Sequence, residues 1–108
     1  MKILIRRKFF SYDNLTINLS DFTVKINNEE ISLTKKEIEL LWLLSTNQNK
    51  VFTRETLLDS IWGYDYFGDS RTVDSHIKRI RAKLDNYKHE AWNIKTIWGV
   101  GYKFDIHE

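Results

Sequence analysis

The chain has 108 residues, 42% hydrophobic and 30% charged, which is the length and balance of one globular domain with a single core. It contains no cysteine and no proline, so disulfides and thiolate chemistry are excluded, and its four glycines become punctuation marks. No apolar run approaches the roughly 18 residues of a spanning helix. Arg6, Arg7 and Lys8 interrupt the opening MKILIRRKFF before a signal-peptide core can form, so the expected location is the cytoplasm, with no membrane partner.

Residues 3 to 33 alternate apolar and polar side chains in short bursts, as in Leu15-Thr16-Ile17-Asn18-Leu19 and Phe22-Thr23-Val24-Lys25-Ile26. With Asn27-Asn28 as a turn, this predicts an antiparallel sheet of three or four strands serving as scaffold. Thr34-Lys35-Lys36-Glu37 has the spacing of a capping box and starts a helix. Ile38, Leu41, Trp42 and Ser45, widened by Leu40, Leu43 and Leu44, bury that helix on most sides before it ends near Asn47 to Asn49.

Thr53 can cap a second helix from Arg54 to about Trp62, with Leu57, Leu58 and Ile61 inward and Gly63 as its stop. A loop from Gly63 to Asp69 follows, and Asp69 or Ser70 can cap a third helix reaching about Asn86. After a polar bridge, Trp92 to Ile97 and Tyr102 to Asp105 alternate around Gly99-Val100-Gly101 and read as a terminal hairpin.

The charge is unevenly placed. Five of the 17 basic residues (Arg71, Lys78, Arg79, Arg81, Lys83) but only one of the 15 acidic ones (Asp74) fall between Arg71 and Lys83, leaving twelve basic and fourteen acidic side chains elsewhere. The positive excess therefore belongs to one element that faces a polyanion. At about 100° per residue, Val73, Ile77, Ile80 and Leu84 form one narrow stripe, while Arg71, Ser75, Lys78, Arg79 and Ala82 lie opposite with Thr72 beside them. Small side chains let a helix backbone approach base edges, and Arg and Lys reach guanine acceptors or phosphates. A capped short helix before this one and a glycine-containing hairpin after it complete the pattern of a winged helix-turn-helix: an α+β fold with an N-terminal antiparallel sheet, three helices and a C-terminal β-hairpin wing.

Thr34-x-x-Glu37-Ile38-x-Leu40-Leu41, Val51-Phe52-Thr53-Arg54-Glu55-x-Leu57-Leu58, Ile61-Trp62-Gly63, Arg71-Thr72-Val73-Asp74-x-His76-Ile77-x-Arg79-Ile80-Arg81-x-Lys83-Leu84 and Thr96-Ile97-Trp98-Gly99-Val100-Gly101-Tyr102-Lys103-Phe104 occur in this order. The ordered set, from about Tyr12 to Phe104, resembles the effector domain of OmpR/PhoB-type response regulators. The resemblance implies sequence-specific binding of double-stranded DNA for transcriptional control, with the third helix in the major groove. Arg71, Thr72, Ser75, Lys78, Arg79 and Arg81 would contact bases or phosphates, Thr53 and Arg54 would sit at a helix N-terminus on DNA, and Thr96, Trp98 and Tyr102 would belong to the wing. The helical wheel puts Arg81 and His76 on the flanks; His76 is either a polar contact or a partly buried structural residue. The family often has Arg where Trp98 stands, so Trp98 either meets the groove or packs under the wing. Lys78 replaces a frequent Arg and lacks its bidentate fork.

The connector holding Trp62, Tyr64, Asp65, Tyr66, Phe67 and Asp69 is longer than the 3–4-residue turn of a minimal helix-turn-helix. Trp62 and Phe67 can form a satellite core; a Tyr/Asp surface repels phosphate and suits a protein partner. The resemblance implies that this partner is RNA polymerase. It also implies a phosphate-accepting receiver domain, a sensor histidine kinase and head-to-tail pairing on direct repeats. Residues 1–108 contain no receiver, since the first 12 are too few.

A different reading is a protein-docking module whose cationic helix meets an acidic partner. An enzyme is not expected: His76, His89 and His107 lack ligand spacing, no glycine loop cradles phosphate, and neither a cofactor nor a metal is implied.

Overall fold

The computed structural model describes residues 3–107. Five antiparallel strands, β1 (Leu4–Arg6), β2 (Phe9–Tyr12), β3 (Leu15–Asn18), β4 (Thr23–Ile26) and β5 (Glu29–Ile31), form a meander in chain order. Asn27 and Asn28 both adopt positive φ, 55° and 65°, the geometry of the turn that matches strand twist in a two-residue hairpin. The sheet buries Phe10, Leu15, Ile17, Val24 and Ile26 on one face, as the alternation predicts. It has one strand more than the three or four expected. β1 escapes the pattern because all three of its residues are exposed, so it is held by its ladder to β2 and not by a buried face.

Helix α1 (Lys35–Ser45) begins with the full capping box: the Glu37 backbone N–H donates to the Thr34 hydroxyl, and the Thr34 N–H donates to the Glu37 carboxylate at 2.8 Å. It ends earlier than the expected 47–49, where Asn47 Nδ2 takes the Leu43 carbonyl at 2.8 Å and the Asn47 N–H turns to the Leu44 carbonyl at 3.2 Å. The Thr46 hydroxyl adds a second bond, 2.7 Å, to the Trp42 carbonyl that its own N–H already reaches. Helix α2 (Arg54–Trp62), capped by Thr53, stops at Gly63 with φ 91°. Helix α3 (Arg71–Leu84) ends two residues short of the expected bound.

Strands β7 (Trp92–Ile97) and β8 (Gly101–Ile106) make the terminal hairpin, and a two-residue strand β6 (Phe52–Thr53) adds to its β8 side. β6 is too short to leave an alternation signal. It pairs Thr53 with Gly101, where any Cβ would collide with the Phe52 carbonyl, so glycine permits the approach that sets the start of α2 beside the hairpin. Between the two sheets, Trp92 and Phe104 stack at 5.6 Å with an interplanar angle of 14°, and α1 supplies Leu40, Leu41 and Leu44, all fully buried.

The α3 stripe of Val73, Ile77, Ile80 and Leu84 is buried against this core. Next to it lies a buried charge. Glu37 is 1% exposed and accepts from Lys83 Nζ of α3 at 2.8 Å, with Arg79 Nε at 3.7 Å from its other oxygen. Burial acts to raise the Glu37 pKa, but the Lys83 bond and the Thr34 amide prevail and hold it below its ordinary 4.5. A depressed carboxyl contributes stability above its unfolded pKa and loses it as pH falls through the folded value. Glu37→Gln is therefore expected to cost about 1–3 kcal/mol at neutral pH. In urea unfolding, the difference from the parent should shrink as pH drops below about 4.5. A gap that stays constant to acid would mean that the charge of Glu37 contributes nothing.

Candidate nucleic-acid interface

Helix α3 is held on both flanks, and this decides which of its side chains are left outward. On one flank Lys83 and Arg79 meet Glu37 of α1, and the His76 ring packs edge-on against Trp62 at 4.8 Å while its Nδ1 lies 2.9 Å from the Thr72 carbonyl. His76 is thus a structural residue. On the other flank the Tyr102 hydroxyl donates to Asp74 at 2.6 Å, and Arg54 Nε lies 3.3 Å from the same carboxylate oxygen. One turn pair further along, Arg81 donates to the Ile94 carbonyl at 2.8 Å and to the Thr96 hydroxyl at 2.7 Å, with its guanidinium over the Tyr102 ring.

These contacts sort the residues predicted from sequence. Arg71, Ser75, Lys78 and Arg79 are exposed on the outer side, with Ala82 among them. The side chains of Ser75 and Lys78 have no partner among the described residues. Arg71 forms an exposed pair with Asp69 at 2.7 Å, which draws the carboxyl below and the guanidinium above their ordinary pKa values. The Asp69 carboxylate also accepts the Arg71 backbone N–H, so it does the capping, while Ser70 occupies the cap position without a side-chain bond. Thr53 is exposed and bonded to Thr56 at the start of α2. Arg54, Arg81, Thr96 and Tyr102 are instead joined to one another and to Asp74, forming the seam between helix and hairpin. Burial lowers the pKa of Arg81.

Trp98 does not pack under the wing. It is 90% exposed at the hairpin tip, beside an open cleft of about 180 Å³ that Arg54, Asp74 and Tyr102 also line. In the connector, Trp62 packs against the core and against His76, as a satellite core requires. Phe67 does not: it is fully exposed, as is most of Tyr64. Asp65 and Asp69 are exposed as well. Tyr66 turns back, its hydroxyl 3.2 Å from that of Thr72, and so ties the connector to α3.

Two organising residues were missed by sequence reasoning. Asp74 is the lone acid of a basic helix, a signal that was available. Glu37 announced itself only as a capping residue, and nothing local shows that Lys83, 46 positions away, would reach it.

Residues 28–104 match the family described as transcriptional regulatory protein, C terminal. The chain belongs to this family. It is an effector domain of the OmpR/PhoB type, from a family of regulators and not of enzymes. It is 46% identical over 101 residues to the transcriptional regulatory protein SrrA of Staphylococcus aureus, covering 93% of this chain and 42% of that protein. The response regulator DrrB of Thermotoga maritima, an OmpR/PhoB homologue, superposes with TM-score 0.79 at 40% identity, covering 93% of this chain and 45% of DrrB. The DNA-binding domain of Klebsiella pneumoniae RstA, solved in complex with the RstA box, gives TM-score 0.79 at 34% identity over 94% of this chain and all of that domain. The effector domain thus spans less than half the length of SrrA and DrrB. Among its described residues, no helix is long and apolar enough to cross a membrane, and no cluster of His, Cys, Asp and Glu is placed to hold a metal ion.

The seam has a pH signature. Burial and the bond to Asp74 push the Tyr102 hydroxyl up to about 12 from its ordinary 10.0. An acid whose folded pKa is raised contributes stability that is complete below its unfolded pKa and vanishes as pH climbs through the folded one. The stability advantage of the parent over Tyr102→Phe should therefore be level up to about pH 10 and decline toward pH 12. Denaturant titrations of both proteins check this, and an advantage that persists unchanged at pH 12 would refute the assignment.

Proposed function

We propose that this effector domain binds double-stranded DNA in a sequence-specific way, with α3 in the major groove, to regulate transcription. The observation that carries the reading is the sorting of charge on α3. Its one acid is turned into the seam by Tyr102 and Arg54, so the outer face offers Arg71, Lys78 and Arg79 around Ser75 and Ala82. A helix of this kind fits the major groove, with cations at its edges and small residues where bases come closest. Thr72 lies at the rim of that face. The RstA domain, alike in fold, was solved with its box bound, which supports the same use here.

Within this reading Arg79 is the base-reading side chain, held from behind by Glu37, and Lys78 and Arg71 engage phosphates or a guanine edge. Thr53 and the N-terminus of α2, with Arg54 beside it, face the backbone. Thr96 and the hairpin meet the neighbouring stretch. Arg81 and Tyr102 act through position: they fix the angle between reading helix and wing. Tyr64, Asp65 and Phe67, which with Trp62, Tyr66 and Asp69 make up the connector, present an acidic aromatic surface that suits RNA polymerase and not phosphate. In a longer protein, a receiver domain phosphorylated by a sensor histidine kinase would govern head-to-tail pairing on direct repeats.

Selection from a random duplex pool at about physiological salt tests the reading. The parent should enrich a short motif, and Arg79→Ala should bind it about 1–3 kcal/mol more weakly with relaxed preference at one base pair. Binding that is weak, steeply salt-dependent and blind to sequence would instead favour an acidic protein as the partner of α3. Tyr64→Ala and Phe67→Ala should leave DNA affinity within twofold while lowering transcription in vitro; lost DNA affinity would defeat the division of labour.

A further inference from the structure

Of the four tryptophans, Trp92 is fully buried and Trp42 and Trp62 pack against the core, whereas Trp98 projects into solvent. Its setting is rigid. The Val100 N–H donates to the Ile97 carbonyl at 2.9 Å and Gly99 takes φ 78°, closing a tight turn with Trp98 and Gly99 at its centre. Behind the turn, β7 and β8 are paired from Ile97 and Gly101 to Trp92 and Ile106, and Arg81 straps β7 to α3. Val100 is exposed beside Trp98, and no side chain from Thr96 to Tyr102 is charged. The tip is therefore a stiff apolar prow, left open to solvent by the described residues.

Cations flank its base. Lys95 and Lys103 stand directly opposite each other across the hairpin, a like-charge pairing that costs stability. Asp105 lies 3.6 Å from Lys103 and offsets part of it, while Lys95 is exposed. From this level to the turn is three residues, about 10 Å, comparable to the depth of a minor groove, about 7.5 Å. Cations at the shoulders and an aromatic at the point are complementary to phosphates along a groove and a base stack at its floor.

We propose that Trp98 is an aromatic wedge that enters the minor groove next to the segment read by α3, stacks at a base step and bends the duplex. This rests on the DNA-binding reading above and deepens it. An uncharged wedge gains from steps that unstack easily, so it adds preference for pyrimidine–purine steps at a fixed offset from the major-groove motif, without hydrogen bonds to bases.

The test uses the whole chain and mixed-sequence duplex DNA, with binding followed by anisotropy of a labelled duplex. The Trp98 fluorescence is the difference between the parent and Trp98→Ala, and its accessibility is read by acrylamide, a neutral quencher. Saturating DNA should shield that component several-fold. Trp98→Ala should weaken binding roughly 5- to 150-fold, as expected for losing one base–aromatic stack. Energy transfer between dyes at the duplex ends should report a bend that Trp98→Ala loses. Trp98→Arg should regain affinity and steepen the salt dependence by about one counterion, yet leave the duplex straight. Binding with Trp98 still open to acrylamide, or with the bend unchanged in Trp98→Ala, overturns the wedge and leaves DNA binding standing. Absence of binding by the parent overturns both.

Discussion

The rotational setting of α3 about its own axis is the constraint on which the rest depends. Four apolar residues bury one stripe, but a stripe alone would tolerate some roll. The flanks remove that freedom. Glu37 takes Lys83 on one side, and the hairpin takes Asp74 and Arg81 on the other. Each lock joins the helix to a different element, α1 or β7 and β8, so any roll that relaxes one strains the other. The buried carboxylate is especially restrictive because leaving its partner would strand a charge in a low-dielectric setting.

Function follows from what the locks leave over. A basic helix with all its cations free would be a diffuse attractor of polyanions. Here Lys83 and Arg81 are committed inward, Arg79 is half-committed, and Lys78 stands free on the other side of Ser75 and Ala82, which occupy the centre of the outer face. The remaining positive charge is thereby confined to the outer face, where Arg71, Lys78 and Arg79 surround the small residues Ser75 and Ala82. Such confinement favours register over mere attraction, since phosphate contacts position a protein while close approach to base edges distinguishes sequences. The same seam that orients α3 also ties it to the hairpin, through Arg81 to β7 and Asp74 to Tyr102 of β8. The connector is different. Tyr66 pins its middle to Thr72, but Tyr64 and Phe67 stand clear, which makes it a surface and not a lock.

Much of this was legible in the sequence where a local rule decided it. The Thr34 and Thr53 caps, the Gly63 stop, the α3 stripe and the Trp92–Ile97 strand all depend on neighbours within a few residues, and all appear where patterns place them. What escaped depends on distance in the chain. β1 and β6 are strands because partners lie alongside, not because their own residues alternate. The placing of Arg81, Tyr102 and Glu37 depends on pairs separated by 13 to 46 positions. A helical wheel correctly sets Arg81 to one side, yet only the hairpin beside it explains why. Exposure was also hidden: Phe67 and Trp98 are large apolar residues that pattern reasoning would readily bury, and both stand in solvent.

Mapping amide chemical shifts while titrating the domain with duplex DNA tests the central claim most directly. If the outer face of α3 is the interface, resonances of Arg71, Ser75, Lys78, Arg79 and Ala82 should move together with the hairpin tip, while those of β1 to β5 and of the core around Glu37 and Lys83 stay in place. Shifts concentrated on the five-stranded sheet or on the connector, with α3 silent, would contradict the account.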